Sequence, residues 1–200
     1  MFAPTVWGDR RRMRVGLLGG SFNPAHEGHL HISLEAKRAL GLTQIWWIVS
    51  PQNPLKPCNE TMPLGKRLGL AKQIINNTSI EVTGIEADLK TQYTWKTIGA
   101  LRVRFPNTQF VWLMGADNLS QIILWQRWQM LFRSIHIAVF SRSPYSMRSL
   151  FSKAAVRYSY SRRQPRQFFG IGKHTKPIWS FVSLKTHPAS STIIRAGRKI

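Results

Sequence analysis

The chain has 200 residues, 43% of them apolar and including 8 Trp and 10 Phe. That is enough for one domain with a real core, and too aromatic for a disordered, collagen-like or coiled-coil chain. Lys and Arg number 29 against 8 Asp and Glu, a net charge of +21, and a balance of that sign predicts an anionic partner.

Composition leaves that partner open between nucleotide phosphates, nucleic acid bound by non-specific electrostatics and an acidic membrane surface. The sign is uneven along the chain: residues 118–200 hold 15 Lys and Arg and no acid. No apolar run approaches the roughly 18 residues of a membrane helix, so no membrane partner is expected. The N-terminus has no apolar signal core. Cys58 is the one cysteine, which excludes an internal disulfide and points to a reducing, cytoplasmic setting.

Residues 1–12 read as a loose basic tail ahead of a single domain over 13–200. Arg14–Leu18 is a short apolar run stopped by Gly19-Gly20, a buried strand entering a tight turn. Glu27–Leu40 is helical, with Ile32, Ala36, Ala39 and Leu40 on one face and Gly41 as its stop. Gln44–Val49 is a second strand. Residues 50–63 hold four prolines and form a loop. Leu64–Ile75 is a helix with Leu64, Leu68, Ala71 and Ile75 on one face. A short strand follows at Ile80–Val82, then a helix at Thr94–Val103 and a strand at Gln109–Met114. Asn118–Phe132 reads as one or two helices, and Ile135–Phe140 as a strand. Residues 141–176, basic and weakly periodic, read as an insertion or flexible excursion. Ile178–Leu184 is a last strand, and Ser190–Arg195 opens a short helix.

Strands and helices alternate, and the strands are continuously apolar, as when both faces are covered. The prediction is an α/β protein with a doubly wound, mostly parallel sheet. Ligands of such sheets bind at the carboxyl ends of the strands, which selects the loops 19–26, 50–57 and 115–118.

The first of these reads Gly19-Gly20-Ser21-Phe22-Asn23-Pro24-Ala25-His26-Glu27-Gly28-His29-Leu30. Glycines after a strand admit a ligand close to the backbone. Two histidines three apart then sit at a helix start, whose N–H groups and dipole favour phosphate. The dinucleotide and Walker patterns are absent, and His26-Glu27-Gly28-His29 is one residue short of a zinc protease motif.

This segment resembles the signature of the nucleotidyltransferases that carry His-x-Gly-His after the first strand, a Rossmann-like superfamily. It is most similar to the nicotinate-nucleotide adenylyltransferase family. The resemblance implies that His26 and His29 contact the ATP phosphates, with Gly19, Gly20, Ser21, Phe22 and Gly28 around the nucleotide. Ser190-Ser191-Thr192-Ile193-Ile194-Arg195 is similar to the family's second signature. It implies that Ser191 and Thr192 bind ATP and that Arg195 clamps phosphate, a role suited to a planar guanidinium. Lys56, in the loop after the second strand, is the family's catalytic lysine by position. Asn23, Tyr93, Thr94, Asp117 and Trp125 match segments that bind the mononucleotide, where an indole stacks on a cationic pyridinium. Trp128 reads as core.

The resemblance thus implies adenylyl transfer from ATP to nicotinate mononucleotide in NAD biosynthesis. Mg²⁺ is expected with ATP, held mainly by substrate phosphates, with no protein metal ligand. The alternatives are a sibling transferase of the pantetheine-phosphate adenylyltransferase or cytidylyltransferase type, and a basic nucleic-acid-binding protein.

Overall fold

The computed structural model describes residues 3–52, 61–75, 79–141, 144–169 and 177–184. Six strands form one parallel sheet in the order β3-β2-β1-β4-β5-β6. They are β1 Arg14–Gly20, β2 Gln44–Val49, β3 Ile80–Thr83, β4 Gln109–Gly115, β5 His136–Phe140 and β6 Trp179–Val182. This is the predicted doubly wound class, parallel throughout. Strand order reverses direction between β1 and β4, so the crevice of the fold opens at the carboxyl ends of those two strands.

The continuous apolar runs are explained by two cores, one on each face of the sheet. Trp46 and Ile48 of β2, with Phe110, Trp112 and Met114 of β4, serve one face. Ile45, Trp47 and Val49, with Val111 and Leu113, serve the other. On the second face lie α1 (Glu27–Leu40) and α2 (Leu64–Ile74), through Ile32, Ala36, Leu40 and Ala71. On the first lie α3 (Ile85–Asp88), α4 (Thr94–Arg104), α5 (Ala116–Gln121), α6 (Trp128–Ser134) and α7 (Lys153–Arg157). Helix α1 has the predicted limits. Gly41 ends it at φ 59°, in the left-handed region where glycine is favoured, and its N–H returns to the Lys37 carbonyl.

The Asn118–Phe132 segment, read as one or two helices, holds two, α5 and α6, with a 3-10 turn at Ile122–Leu124 between them. Trp125 is extended and Arg127 sits at φ 51°, so a continuous helix cannot pass. Residues 3–12 are not a loose tail. The Asp9 N–H bonds the Arg104 carbonyl at 3.0 Å, Arg104 Nε donates to the Val6 carbonyl at 2.8 Å, and Asn107 Nδ2 donates to the Arg10 carbonyl at 2.6 Å.

Residues 141–176 read from sequence as an insertion or flexible excursion. Their described part, 144–169, is folded onto the core through a few apolar residues. Ala154, Ala155, Tyr158 and Phe168 are buried. Tyr158 stacks on Phe132 with centroids 4.4 Å apart, and Trp179 Nε1 donates to the Tyr158 carbonyl at 2.7 Å. Burying a large apolar side chain contributes about 1.5–3 kcal/mol, so a handful suffices to dock a basic, serine-rich segment. The predicted Ser190–Arg195 helix lies outside the described residues. No helix among the described residues is long and apolar enough to cross a membrane.

Candidate functional site

Strand β1 runs into Gly19 and Gly20, and the two glycines have different reasons. A Cβ on Gly19 would overlap the Trp112 ring, whereas one on Gly20 would meet only ordinary contact with Phe22 at 3.5 Å. Gly20 also anchors the neighbouring loop, since its carbonyl accepts the Ser50 N–H at 2.9 Å.

The turn beyond is held by aromatic packing. Phe22 sits at φ 46°, an uncommon conformation for a bulky residue. Its ring is buried, stacked on Trp47 at 5.1 Å and against His29 at 4.7 Å. Trp47 Nε1 donates to Ser33 Oγ at 2.7 Å, and Ser33 Oγ donates to the His29 carbonyl at 2.8 Å. The Trp47–Phe22 stack therefore supports His29 from below.

His26 is the N-cap of α1, in extended conformation, so only His29 lies inside the helix. The two close a reciprocal capping box, normally the work of Ser or Thr with Glu. The Gly28 N–H donates to His26 Nδ1 at 3.1 Å, and the His26 N–H donates to His29 Nδ1 at 3.2 Å. Their ring centroids are 3.9 Å apart. With Nδ1 accepting, each neutral imidazole carries its proton on Nε2. The backbone thus fixes two Nε2–H donors side by side. Asn23 is buried, and its Oδ1 accepts the Met62 N–H at 3.1 Å, which ties the turn to the entry of α2.

Apart from Asn23, the segments matched to the mononucleotide follow β3 and β4. Tyr93 is the N-cap residue of α4 and Thr94 its first residue. Asp117 is exposed in the first turn of α5, directly after β4. Trp125 is half-buried and edges onto Trp112 at 6.3 Å. Trp95 joins the two segments. Its Nε1 donates to Gln126 Oε1 at 3.0 Å, and the Arg127 guanidinium lies 4.6 Å from its ring centroid. Trp128, read as core, edges onto Phe132 and Tyr158. Ser21 lies in the β1 loop and Gly28 is buried in α1. Lys56, Ser191, Thr192 and Arg195 lie outside the described residues.

Two charged residues that sequence reading missed are buried beside these loops. Arg67 of α2 is 1% exposed and donates to the Ser21, Ser50, Pro51 and Met62 carbonyls. Burial lowers its pKa. Its signal was a cation at a helix position flanked by Leu64, Leu68 and Ala71 on the apolar face. Glu86 of α3 is buried and accepts from Thr97 Oγ1 at 2.8 Å. Desolvation raises its pKa, opposed by hydrogen bonds from Thr97 and Ser50. No pattern in its neighbours marks it.

Comparison with known proteins agrees with this arrangement. Residues 17–197 match the family model described as cytidylyltransferase-like. A protein of Cereibacter sphaeroides named "Probable nicotinate-nucleotide adenylyltransferase" is 44% identical over 184 residues, covering 92% of this chain and 97% of the relative. One of Gluconobacter oxydans with the same name is 43% identical over 183 residues, covering 92% and 94%. The solved Plasmodium falciparum nicotinic acid mononucleotide adenylyltransferase, complexed with NaAD, shares the fold at TM-score 0.70 and 15% identity, over 92% of this chain and 83% of that one. The chain belongs to the cytidylyltransferase-like family, among the nicotinate-nucleotide adenylyltransferases.

Proposed function

We propose that the protein transfers the adenylyl group of ATP to nicotinate mononucleotide, giving nicotinate adenine dinucleotide and pyrophosphate, a step of NAD biosynthesis. The observation that carries this reading is the pair of backbone-fixed histidines at the end of β1, in a chain whose relatives bear that enzyme's name.

A phosphate oxygen of the mononucleotide attacks the α-phosphorus in line. The bond from that phosphorus to the β-bridging oxygen breaks, and pyrophosphate leaves with the electron pair. The attacking phosphate is already anionic at neutral pH, so no general base is required. Catalysis is positioning plus stabilisation of charge on the phosphoryl oxygens. The Nε2–H groups of His26 and His29 donate to the phosphates, with Lys56 and Arg195 adding positive charge. Gly19, Gly20, Ser21, Phe22 and Gly28 serve the ATP side, and Ser191 and Thr192 are assigned to ATP by their match to the family's second signature. Asn23, Tyr93, Thr94, Asp117 and Trp125 line the mononucleotide side. The substrate is MgATP, its Mg²⁺ held by phosphate oxygens and water and shielding the leaving pyrophosphate.

The test is pyrophosphate release from MgATP with nicotinate mononucleotide, nicotinamide mononucleotide or phosphopantetheine as acceptor. Release with the first, and far less with the others, is expected. Preference for phosphopantetheine would move the chain to a sibling activity.

A further inference from the structure

We infer that Arg67 and Glu86 are positioning residues for the substrate crevice, Arg67 fixing the loops after β1 and β2 and Glu86 fixing the first turn of α4. The inference rests on the adenylyl-transfer reading for which loop meets which substrate.

Arg67 is the better defined half. Its Nε donates to the Met62 carbonyl at 2.7 Å, Nη1 to the Ser21 and Ser50 carbonyls at 2.7 Å each, and Nη2 to the Pro51 carbonyl at 2.8 Å. One planar fork thereby joins the loop after β1, the loop after β2 and the entry to α2. Among the described residues no carboxylate pairs with it. A buried charge compensated by carbonyl dipoles alone is a poor way to stabilise a core, because an apolar side chain of that size would avoid the desolvation. What the guanidinium does supply is fixed geometry among separate segments, which no apolar side chain and no lysine can copy. The first of these loops starts at Ser21 and ends at His26 on the ATP side, with Asn23 of the mononucleotide side between them, and the second leads to Lys56.

Glu86 performs the matching task at α4. Its carboxylate accepts from Thr97 Oγ1 at 2.8 Å, and its carbonyl accepts the Thr91 N–H at 2.9 Å. Thr97 Oγ1 also lies 3.0 Å from Thr91 Oγ1 and 3.3 Å from the Tyr93 carbonyl. Together these pin the first turn of α4, where Tyr93 and Thr94 stand on the mononucleotide side. Ser50 belongs to the Arg67 half: its carbonyl accepts from Arg67 at 2.7 Å, its N–H donates to the Gly20 carbonyl at 2.9 Å and its hydroxyl donates to the Gln52 carbonyl at 3.1 Å.

Steady-state kinetics with each substrate varied in turn test the inference on Arg67→Lys, Glu86→Ala and Glu86→Gln, alongside wild type and with thermal melts of each. A displacement near 1 Å is enough to lower rates about 100-fold. Arg67→Lys is therefore expected to raise KM for MgATP on the order of tenfold and to lower kcat, with KM for the mononucleotide within about twofold. Glu86→Ala is expected to do the reverse for KM, and Glu86→Gln, which keeps an acceptor for Thr97, to recover most of it. Folded variants with unchanged constants, or with both KM values raised alike, overturn the inference. Should Glu86→Ala fail to fold, Thr97→Val removes only the hydroxyl that Glu86 accepts from. It is expected to raise KM for the mononucleotide and leave MgATP alone, and no such split overturns the Glu86 half. Should Arg67→Lys fail to fold, Arg67→Gln takes its place with the same expectation. If wild type itself turns over no nicotinate mononucleotide, the functional reading fails separately. MgATP binding then still judges Arg67: a tenfold weaker Kd in Arg67→Lys upholds it, and equal affinity overturns it.

Discussion

The ring of Trp112 occupies the space that a side chain on Gly19 would need. The glycine at the end of β1 is thus demanded by the core of the sheet, and its exposure to a ligand is a consequence. Trp112 is buried and rigidly placed, with Trp125 at its edge. Gly19→Ala is expected to destabilise the fold by about 1–3 kcal/mol, as overpacked cores do, lowering Tm by several degrees. Adding Trp112→Leu should return part of that loss. An unchanged Tm in Gly19→Ala would mean that the ring yields freely.

The histidine pair separates capping from chemistry. His26 caps α1 through Nδ1, so His26→Ala should lose about 1 kcal/mol of stability. Asn also accepts at an N-cap, so His26→Asn should melt near wild type. Both should turn over on the order of 100-fold more slowly, the usual effect of deleting a charge-stabilising donor. His29→Ala should lose a similar factor in kcat with little change in Tm. Wild-type turnover in His26→Asn would reduce His26 to a helix cap.

A half-buried histidine and a buried glutamate make stability depend on pH in opposite senses. Burial lowers the pKa of His136, whose Nδ1 accepts the Ile178 N–H at 3.1 Å. The unfolded chain therefore binds the proton more readily, so stability is present above about pH 6.5 and is lost as pH falls through the lower folded value. Glu86 is the reverse, with its pKa raised by burial. Its contribution is present below the unfolded pKa, near 4.5, and is lost as pH rises through the folded value. Urea melts across pH 4–8 should show His136→Phe losing the acid-side decline and Glu86→Gln losing the alkaline-side one. Variants that keep the wild-type profile would assign the pH dependence to other groups.

What was legible in the sequence was whatever repeats locally. The β1–α1–β2 unit announces itself through unbroken apolar runs and a helical period; the limits of α1 and β2 came out as predicted, while β1 runs two residues further, through Gly19 and Gly20. The packing of residues 144–169 was not legible because short 3-10 turns leave no period, and because Tyr158 and Phe168 dock them through distant partners. The histidine spacing was visible, but not that the backbone takes both Nδ1 atoms, which depends on His26 standing outside the helix. Arg67 stood on an apolar face as an anomaly whose meaning lies in four carbonyls from three other segments. Such groups are defined by tertiary contacts alone.

Trp125 is where local packing and ligand binding compete for one side chain. It is half-buried and touches Trp112, yet its backbone is extended and its neighbours Gln126 and Arg127 are tied to Trp95 on α4. That tether holds the Trp125 segment against the first turn of α4, where Tyr93 and Thr94 stand. Stacking on a cationic pyridinium contributes about 0.5–2 kcal/mol. Trp125→Ala is therefore expected to raise KM for the mononucleotide between about twofold and thirtyfold while KM for MgATP stays put. Trp125→Phe should keep most of the affinity. Trp128 provides the contrast, since its ring edges onto Phe132 and Tyr158. Trp128→Ala should lose on the order of 2 kcal/mol of stability with both KM values unchanged. A Trp125→Ala enzyme that melts early and binds its mononucleotide normally would place Trp125 with Trp128 in the core, and would leave recognition of the pyridine ring to the first turn of α4.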